Sequence, residues 1–109
     1  MHELAITESV VSGVCERVEG AKVVRVVLQI GKLSGVVPDS VRFCFDVCAA
    51  GTLMEGAQLE IIEIEGRASC RDCRAEVRLD DIIGLCRCGS ANLALLSGDE
   101  LRVKEVEIA

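Results

Sequence analysis

The sequence predicts an α+β fold in which two helices pack on a three-stranded β-sheet and a small cysteine-rich domain is inserted before the last strand. Two segments place apolar residues at helical spacing, three segments are rich in β-branched or alternating apolar residues, and four of the seven cysteines cluster before the third of these. The cysteine-rich segment is too short to bury a core of its own, so it needs another source of stability.

The two helices are predicted before the cysteine-rich segment. The first extends from Glu3 to about Val18 and ends near Gly20, a residue type that commonly closes a helix. Glu3 also suits the positive end of the helix dipole. The second helix is expected to begin at Pro38, which the first helical turn tolerates, and to continue until Gly51.

Three strands are predicted from β-branched residues and alternation. The first lies within AKVVRVVLQIGKL, the second covers residues 58–65 (QLEIIEIE), and the third covers residues 100–108 (ELRVKEVEI). The predicted apolar face of the first strand consists of Val24, Val26, Leu28 and Ile30. The other two strands change alternation phase partway, which predicts a bulge or a twisted edge at a position that the pattern does not fix.

Composition and charge restrict the class of protein. The 109 residues are enough for one domain, or for a small domain joined to a metal-stapled one. A net charge of −6 opposes binding to nucleic acid, which needs clustered Lys and Arg. The start MHELAITESV lacks a basic leader and an apolar core, and there is no run of about 18 apolar residues, so no membrane association is expected. These features predict a cytoplasmic protein.

The cysteine-rich segment contains two close pairs, in the stretch SCRDCRAEVRLDDIIGLCRCGS. Cys70 and Cys73 form a C-x-x-C pair, and Cys86 and Cys88 form a C-x-C pair after twelve intervening residues. Zinc favours four thiolates in a tetrahedron, and cysteines in a reducing cytoplasm are more often metal ligands than disulfides. The spacing therefore predicts one structural Zn(II) in a zinc-ribbon-like domain. The shorter second spacing requires a tighter turn, for which Gly89 is suited.

Two surface disulfides, or a redox-active C-x-x-C pair, are the alternative interpretations of this spacing. A closed site of four thiolates leaves no position for a water, which argues against zinc catalysis. Cysteine density alone sets the predicted boundary: residues 67–97 form the inserted domain, and residues 1–66 with 98–109 form the other. The cysteines outside this segment are expected to pack as small hydrophobic residues; they are Cys15, Cys44 and Cys48.

The only histidine of the chain is residue 2. The terminal amine of Met1, the backbone amide nitrogen of His2 and the His2 Nδ1 atom can reach one metal ion and close two fused chelate rings. Such a nearly planar set of nitrogens suits Ni(II) or Cu(II) rather than zinc or magnesium. The Glu3 carboxylate can orient the imidazole or accept a hydrogen bond from a partner. A histidine at this position is more often a disordered terminal residue, so composition alone favours the absence of a site.

The order of motifs resembles that of the HypA/HybF family of nickel chaperones for hydrogenase maturation. The matching parts are MHE at the start, VVLQIGKLSGV, VPDSVRFCFDV, the passage from Gly51 into Glu63, the cysteine quartet with CGS, and LRVKEVEI at the end. They cover essentially the whole chain in the family's order. The family usually has C-x-x-C in both pairs, so the C-R-C of this chain is a departure that concerns the geometry of Cys86.

The resemblance implies an α+β nickel domain and an inserted domain that holds one structural zinc. By this resemblance His2 is the Ni(II) ligand, helped by the Met1 amine and by Glu3. The implied zinc ligands are Cys70, Cys73, Cys86 and Cys88.

The resemblance also implies a function without substrate turnover, so the protein would not be an enzyme. It would capture Ni(II) and, with a partner GTPase, pass it to the large subunit of NiFe hydrogenase. Urease maturation proteins are an alternative recipient, and both a monomer and a homodimer are compatible with the sequence.

Two other classes of function fit parts of the sequence. A zinc-ribbon module for protein-protein interaction would need no second metal, and MHE would then be an ordinary terminus. A redox enzyme would use Cys70 and Cys73 as a dithiol. Acyl or phosphoryl transfer has less support, because the chain has no glycine-rich phosphate loop and no second histidine.

Overall fold

The computed structural model describes residues 2–109. Its elements are α1 (Glu3–Arg17), β1 (Val23–Gly31), α2 (Pro38–Ala49), β2 (Gln58–Ile64), β3 (Gly66–Cys70), β4 (Glu76–Leu79), β5 (Leu93–Ser97) and β6 (Leu101–Ile108). The helices and the strands β1, β2 and β6 confirm the predicted α+β fold. Within the described range, neither helix is long and apolar enough to cross a membrane.

The first sheet has the strand order β2-β1-β6. β1 and β2 run parallel, and α2 provides the crossover that a parallel pair requires. β6 returns after the cysteine-rich segment and pairs antiparallel with the other side of β1. The first and last parts of the chain therefore share one sheet with β1 at its centre.

The core lies between the two helices and one face of this sheet, which we call the helix face. One buried cluster joins both helices to the start of β1 and includes Val26 and Phe45, while a second continues along β1 with Ile30 and Val41. Phe45 is the only aromatic residue of the core, because Phe43 is 83% exposed. Branched aliphatic side chains therefore form most of the core, as the composition predicts.

The predicted apolar face of β1 is wrong at Val24. The rest of that face is buried as expected, but Val24 is 39% exposed and Val23 is buried in its place. The pairing of β1 with β6 shifts register between Val23 and Arg25, so Val24 is an extra residue that β6 does not match. This shift turns Val24 away from the core.

The phase change of β6 has the same kind of cause. Val27 pairs with Glu105 and Leu28 pairs with Val103, so Lys104 is the extra residue of a β-bulge. β2 instead pairs with β1 without any register shift and lies at the edge of the sheet. The predicted bulge is confirmed for β6, while for β2 the pairing shows an edge strand without a bulge.

The cysteine-rich segment forms a second three-stranded sheet with the order β4-β3-β5. Both of its strand pairs are antiparallel, and Ala68 and Leu79 are buried there. The sequence does not reveal these strands, because each has only four or five residues and the cysteine turns interrupt any alternation.

Three glycines allow the two sheets to meet at what we call the glycine junction. A Cβ atom on Gly31 would lie 2.0 Å from the carbonyl oxygen of Gly98, and one on Gly98 would lie 2.5 Å from the Cα atom of Gly66. Leu33 donates its backbone N–H to the Gly98 carbonyl at 2.6 Å. Only Glu65 separates β2 from β3, so the chain passes from one sheet to the other without a flexible linker.

Replacing Gly31 with alanine tests the glycine junction. The added methyl group would overlap the backbone of Gly98, and neither segment can retreat without disturbing a β-ladder. We expect the free energy of unfolding to fall by about 2–4 kcal/mol. Urea unfolding followed by far-UV circular dichroism measures this in a chain without Trp or Tyr.

Gly13→Ala is the matched control, because a Cβ atom on Gly13 would meet no atom within 4 Å and Gly13 lies inside α1. Alanine should raise the free energy of unfolding there by roughly 0.5–1 kcal/mol. Unchanged stability of the Gly31→Ala variant would show that the junction tolerates a side chain.

Candidate metal centres

Two turns bring together Cys70, Cys73, Cys86 and Cys88, which we call the cysteine quartet. Cys70 ends β3 and Cys73 lies in the turn that follows, while Cys86 and Cys88 lie in the connection from β4 to β5. Because Cys70 pairs with Leu93 at the start of β5, the β3–β5 ladder holds one turn beside the other. The antiparallel sheet therefore positions all four sulfurs at one end.

Each turn is closed by a backbone hydrogen bond from the residue after its second cysteine to the carbonyl of its first cysteine, but the two turns differ in length. Arg74 follows the second cysteine of the first turn, has a φ of 66° and donates its N–H to the Cys70 carbonyl at 2.8 Å. Gly89 follows the second cysteine of the other turn, has a φ of 88° and donates to the Cys86 carbonyl at 2.9 Å. Glycine adopts this left-handed conformation without strain, which allows the C-x-C turn to be one residue shorter.

The sulfur positions of the cysteine quartet fit a single tetrahedral ion. All four Sγ atoms lie within 4.8 Å of one another, with 3.7 Å between Cys70 and Cys88 and 3.5 Å between Cys73 and Cys86. A tetrahedron with metal–sulfur bonds of about 2.3 Å has sulfur–sulfur edges of roughly 3.8 Å. Cys70 and Cys86 are buried, and Cys73 and Cys88 are exposed. The donor set and spacing suit a closed structural site, and the Cys86 sulfur lies within the same distances as the other three.

The pKa values of these thiols show why a cation suits the site. The backbone N–H of Cys73 donates to the Cys70 sulfur at 3.5 Å and lowers the pKa of that thiol to about 6. At Cys88 the Ser90 backbone lowers the pKa, but Cys86 and the other sulfurs act more strongly together and raise it to about 12. One thiolate therefore forms readily and opposes the next, and a divalent cation would remove that opposition.

A polar network that the sequence does not reveal links the two turns. Ser90 donates its hydroxyl to the Asp72 carboxylate, and Asn92 donates its side-chain amide to the same carboxylate at 3.5 Å. Arg71 donates in turn to the Asn92 side-chain oxygen at 3.2 Å. Local spacing gives no signal for this network, because its partners come from both turns. Such outer hydrogen bonds hold ligand-bearing turns in position.

At the other candidate centre, His2 is exposed and caps the start of α1. Its carbonyl accepts the N–H of Ile6 at 3.0 Å, which begins the helical hydrogen-bond pattern. Met1, whose terminal amine is a predicted nickel ligand, lies outside the described residues. The imidazole of His2 therefore stands at the accessible end of a helix.

Glu3 connects the starts of the two helices. Its carboxylate accepts the backbone N–H of Val37, the residue that caps α2, at 3.3 Å. Its carbonyl accepts the hydroxyl of the buried Thr7 at 2.6 Å. The side chain predicted to assist a metal thus also fixes α1 against α2, a contact between residues 34 positions apart that the sequence does not show.

His2 and Glu3 line an open cavity of about 650 Å³ between the starts of the helices, which we call the amino-terminal depression. Its other lining residues are Leu4, Ala5, Asp39, Ser40, Phe43 and Cys44. Asp39 forms an ion pair with Arg42 at 2.5 Å. α2 thus adds a carboxylate, a thiol and an aromatic ring beside the terminal motif, and only the fold brings them there.

The three remaining cysteines are half-buried. Cys15 and Cys48 pack against the main core cluster, as predicted for small hydrophobic residues. Burial raises the pKa of the Cys48 thiol above its usual value. Cys44 departs from the expectation, because it lines the amino-terminal depression instead.

Comparison with known proteins shows the family of this chain. The family model described as hydrogenase/urease nickel incorporation, metallochaperone, hypA matches residues 1–108. The chain belongs to the HypA family. HypA proteins are nickel metallochaperones of hydrogenase maturation and not enzymes, so the predicted family and the predicted absence of catalysis are both confirmed.

HypA relatives match along nearly the entire chain. The hydrogenase maturation factor HypA of Trichormus variabilis is 55% identical over 108 residues, which cover 99% of this chain and 96% of the relative. That of Geotalea uraniireducens is 46% identical over 109 residues, covering 99% of each chain. The solution structure of the Ni metallochaperone HypA from Helicobacter pylori matches with a TM-score of 0.69 at 27% identity, covering 99% of this chain and 97% of that one. The chain therefore shares the fold of that HypA structure along its whole length.

Removing the Asp72 carboxylate should loosen the quartet without removing a ligand. The Asp72→Ala variant loses the acceptor that ties Ser90 and Asn92 to the first turn. We expect its affinity for Zn(II) to fall about tenfold, measured by competition with a colorimetric chelator. Arg87→Ala is the control, since Arg87 lies exposed between Cys86 and Cys88. Equal zinc loss from both variants would exclude a special role for the network.

Proposed function

We propose that this protein captures Ni(II) at its amino terminus and releases it to a hydrogenase maturation partner. The observation that carries the proposal is the position of His2. It is exposed at the start of α1, beside an open depression, in a chain that matches the HypA family over residues 1–108. Nickel is the cargo in this proposal and not a resident cofactor.

The proposed nickel ligands are nitrogens that follow one another along the chain. They are the Met1 amine, the His2 amide nitrogen and the His2 Nδ1 atom. The first N–H groups of a helix have no intrahelical acceptor, so the amides of His2 and Glu3 are not needed for α1. The start of a helix thus offers backbone nitrogens that an interior residue could not, and such a planar set suits Ni(II).

Exposure of His2 supports reversible capture. An incoming ligand can approach an open planar site before an old ligand leaves, which allows handover by ligand exchange. Nitrogen ligands favour copper over nickel in raw affinity, so selectivity must come from metal supply and from docking of the partner. Glu3 keeps its carboxylate at the site through the bond to Val37.

We assign the cysteine quartet to one structural Zn(II), because its four sulfurs and their spacing suit that ion. The zinc would supply folding energy to residues 67–97, a segment that is too small to be stable alone. The separate sheet β4-β3-β5 supports a division into this zinc domain and a nickel domain of residues 1–66 and 98–109.

The partners in this proposal are a nickel-maturation GTPase and the large subunit of NiFe hydrogenase, in the cytoplasm. The family description names urease beside hydrogenase, so urease maturation proteins are a second class of recipient to test. Phe43 is 83% exposed and Val47 is 70% exposed, one helical turn apart on α2. Since Phe43 also lines the amino-terminal depression, we place the docking surface for the GTPase there.

A short extension before Met1 tests the nickel site. The extension converts the terminal amine into an amide and removes the first ligand, so we expect specific Ni(II) binding to fall from about one ion per chain to none, as for His2→Ala. Equilibrium dialysis with metal analysis measures both ions, and the zinc content should not change.

The same extension placed after Ala109 is the matched control and should leave nickel binding intact. If the protein extended before Met1 binds nickel as well as the unextended protein, the amino-terminal chelate is wrong. If His2→Ala also binds normally, the chain is better described as a zinc-ribbon interaction module.

The docking surface is tested with Phe43→Ser. The side chain is exposed, so its loss should not affect the core, but it should weaken binding to the purified GTPase by about tenfold, measured by calorimetry. Ile83→Ser is the control, because Ile83 is 87% exposed in the other sheet's loop. Weakening by the control alone would place the partner on the cysteine-rich domain.

A further inference from the structure

Among residues 2–109, no strand pairs with the outer side of β6, which is one edge of the first sheet. β6 pairs only with β1 in the order β2-β1-β6, and seven of its eight residues are exposed. An edge strand offers unpaired backbone N–H and C=O groups to another strand. The charges and the bulge of β6 disfavour pairing with most other strands. A partner strand should therefore have a sequence that is complementary to that of β6.

Apart from Lys104 at the bulge, the side chains of β6 divide between the two faces of the sheet by their pairing with β1. Leu101 lies opposite Ile30, Val106 opposite Val26, and Ile108 opposite Val23. These three residues of β1 are buried on the helix face, so their partners on β6 belong to that face. Val103 belongs to the same face through its pairing with Leu28. The opposite face, here called the open face, carries Arg102, Glu105 and Glu107. The apolar and charged sets are thus divided by side.

A cleft adjoins the apolar side of this edge. It has a volume of about 640 Å³ and lies between α1 and β6, and its strand side consists of Val103, Lys104, Glu105 and Val106. On the α1 side, the small residues Ser9 and Gly13 alternate with the larger Val10, Val14 and Arg17. Space therefore exists beside β6 for apolar side chains from an added strand.

The sequence of β6 is complementary to itself in the antiparallel direction. With a two-fold axis between Lys104 and Glu105, the opposed residues are Leu101 with Ile108, Arg102 with Glu107, Val103 with Val106, and Lys104 with Glu105. Every charged residue then meets one of opposite sign, and every apolar residue meets an apolar one. Opposed pairs of these kinds stabilise antiparallel strands.

The bulge at Lys104 allows opposed side chains of two copies of β6 to lie on the same face of the sheet. A two-fold axis between neighbouring residues places each odd-numbered position opposite an even-numbered one, so a strictly alternating strand would oppose apolar to charged side chains. Because β6 changes phase at Lys104, its apolar residues stay on the helix face on both sides of the axis. The irregularity therefore permits self-pairing instead of preventing it.

β2, the other edge of the same sheet, lacks this property. It contains Glu60 and Glu63 and no basic residue. Antiparallel self-pairing would place these carboxylates opposite each other or opposite apolar residues, which is unfavourable. Self-complementarity thus distinguishes β6 from the equivalent edge of the same molecule.

The geometry points to a homodimer in which β6 pairs antiparallel with β6 of a second copy, so that the two sheets join into one of six strands. The contact is isologous, as a two-fold dimer requires. An interface built on one eight-residue strand is narrow, and the dimer should therefore depend on concentration. This inference does not rest on nickel binding and is tested on zinc-loaded, nickel-free protein.

Charge exchange between positions 102 and 107 tests the pairing by analytical ultracentrifugation over a range of concentrations. Arg102→Glu and Glu107→Arg each place like charges opposite one another twice in the dimer. We expect each variant alone to raise the dimer dissociation constant about tenfold or more. The double variant R102E/E107R restores complementary pairs and should dimerise nearly as well as the wild type.

The decisive measurement is made on a mixture of the two single variants. The R102E chain carries glutamate at both positions and the E107R chain carries arginine at both, so the two contacts between unlike chains become attractive. Dimers should therefore reappear in the mixture at concentrations at which each variant alone is mostly monomeric. Circular dichroism and zinc content check that each variant is folded.

Three outcomes would overturn the inference. They are a wild type that stays monomeric at all concentrations, a dimer that none of the exchanges affects, and loss of dimerisation in the single variants without recovery in the mixture. Recruitment of the GTPase to β6 with no self-association would assign this edge to a different partner and equally contradict the homodimer.

Discussion

The close backbone contact at the glycine junction is the constraint on which the arrangement of both candidate centres depends. β2 continues into β3 after one residue, and Ser97 at the end of β5 donates its hydroxyl to the Glu65 carbonyl at 2.9 Å. Lys32, just after β1, donates its N–H to the Ile64 carbonyl at 2.8 Å. Side chains at Gly31 or Gly98 would separate these segments. The cysteine quartet is therefore carried on a continuation of the central sheet, and all the residues that line the amino-terminal depression come from the starts of α1 and α2 instead.

The sequence was sufficient for features that depend on neighbouring residues. The approximate bounds of α1 and α2 follow from helical spacing, from Pro38 and from Gly51, because capping and side-chain period are local. The predicted closure of α1 at Gly20 is only approximate, since the helix ends at Arg17 and Glu19 is the first residue with a positive φ. The cysteine quartet was recognisable for the same reason, since each pair lies within one turn. Even the short C-x-C pair could be interpreted, as Gly89 supplies the positive φ that its tighter turn requires.

Features that depend on which strands meet could not be predicted in this way. Val24 satisfies the alternation of β1 and is still exposed, because the register shift against β6 arises between segments about 80 residues apart. The bond from Val37 to the Glu3 carboxylate and the link from Ser90 to Asp72 are likewise tertiary. Their residues look like ordinary polar surface in the sequence. Patterns thus identify candidate ligands, while the fold decides what surrounds them.

The two proposed centres depend on the fold in opposite ways. The four sulfurs of the quartet come from two turns and converge only when β3 pairs with β5, so a metal there is coupled to folding. The proposed nickel ligands are consecutive in the chain and could bind the ion without any fold. What folding adds to them is their surroundings, namely an anchored Glu3 and an exposed Phe43 at the same depression. A tertiary structure that contributes the surroundings and not the ligands suits a site whose ion must leave, because the partner can alter those contacts without unfolding the protein.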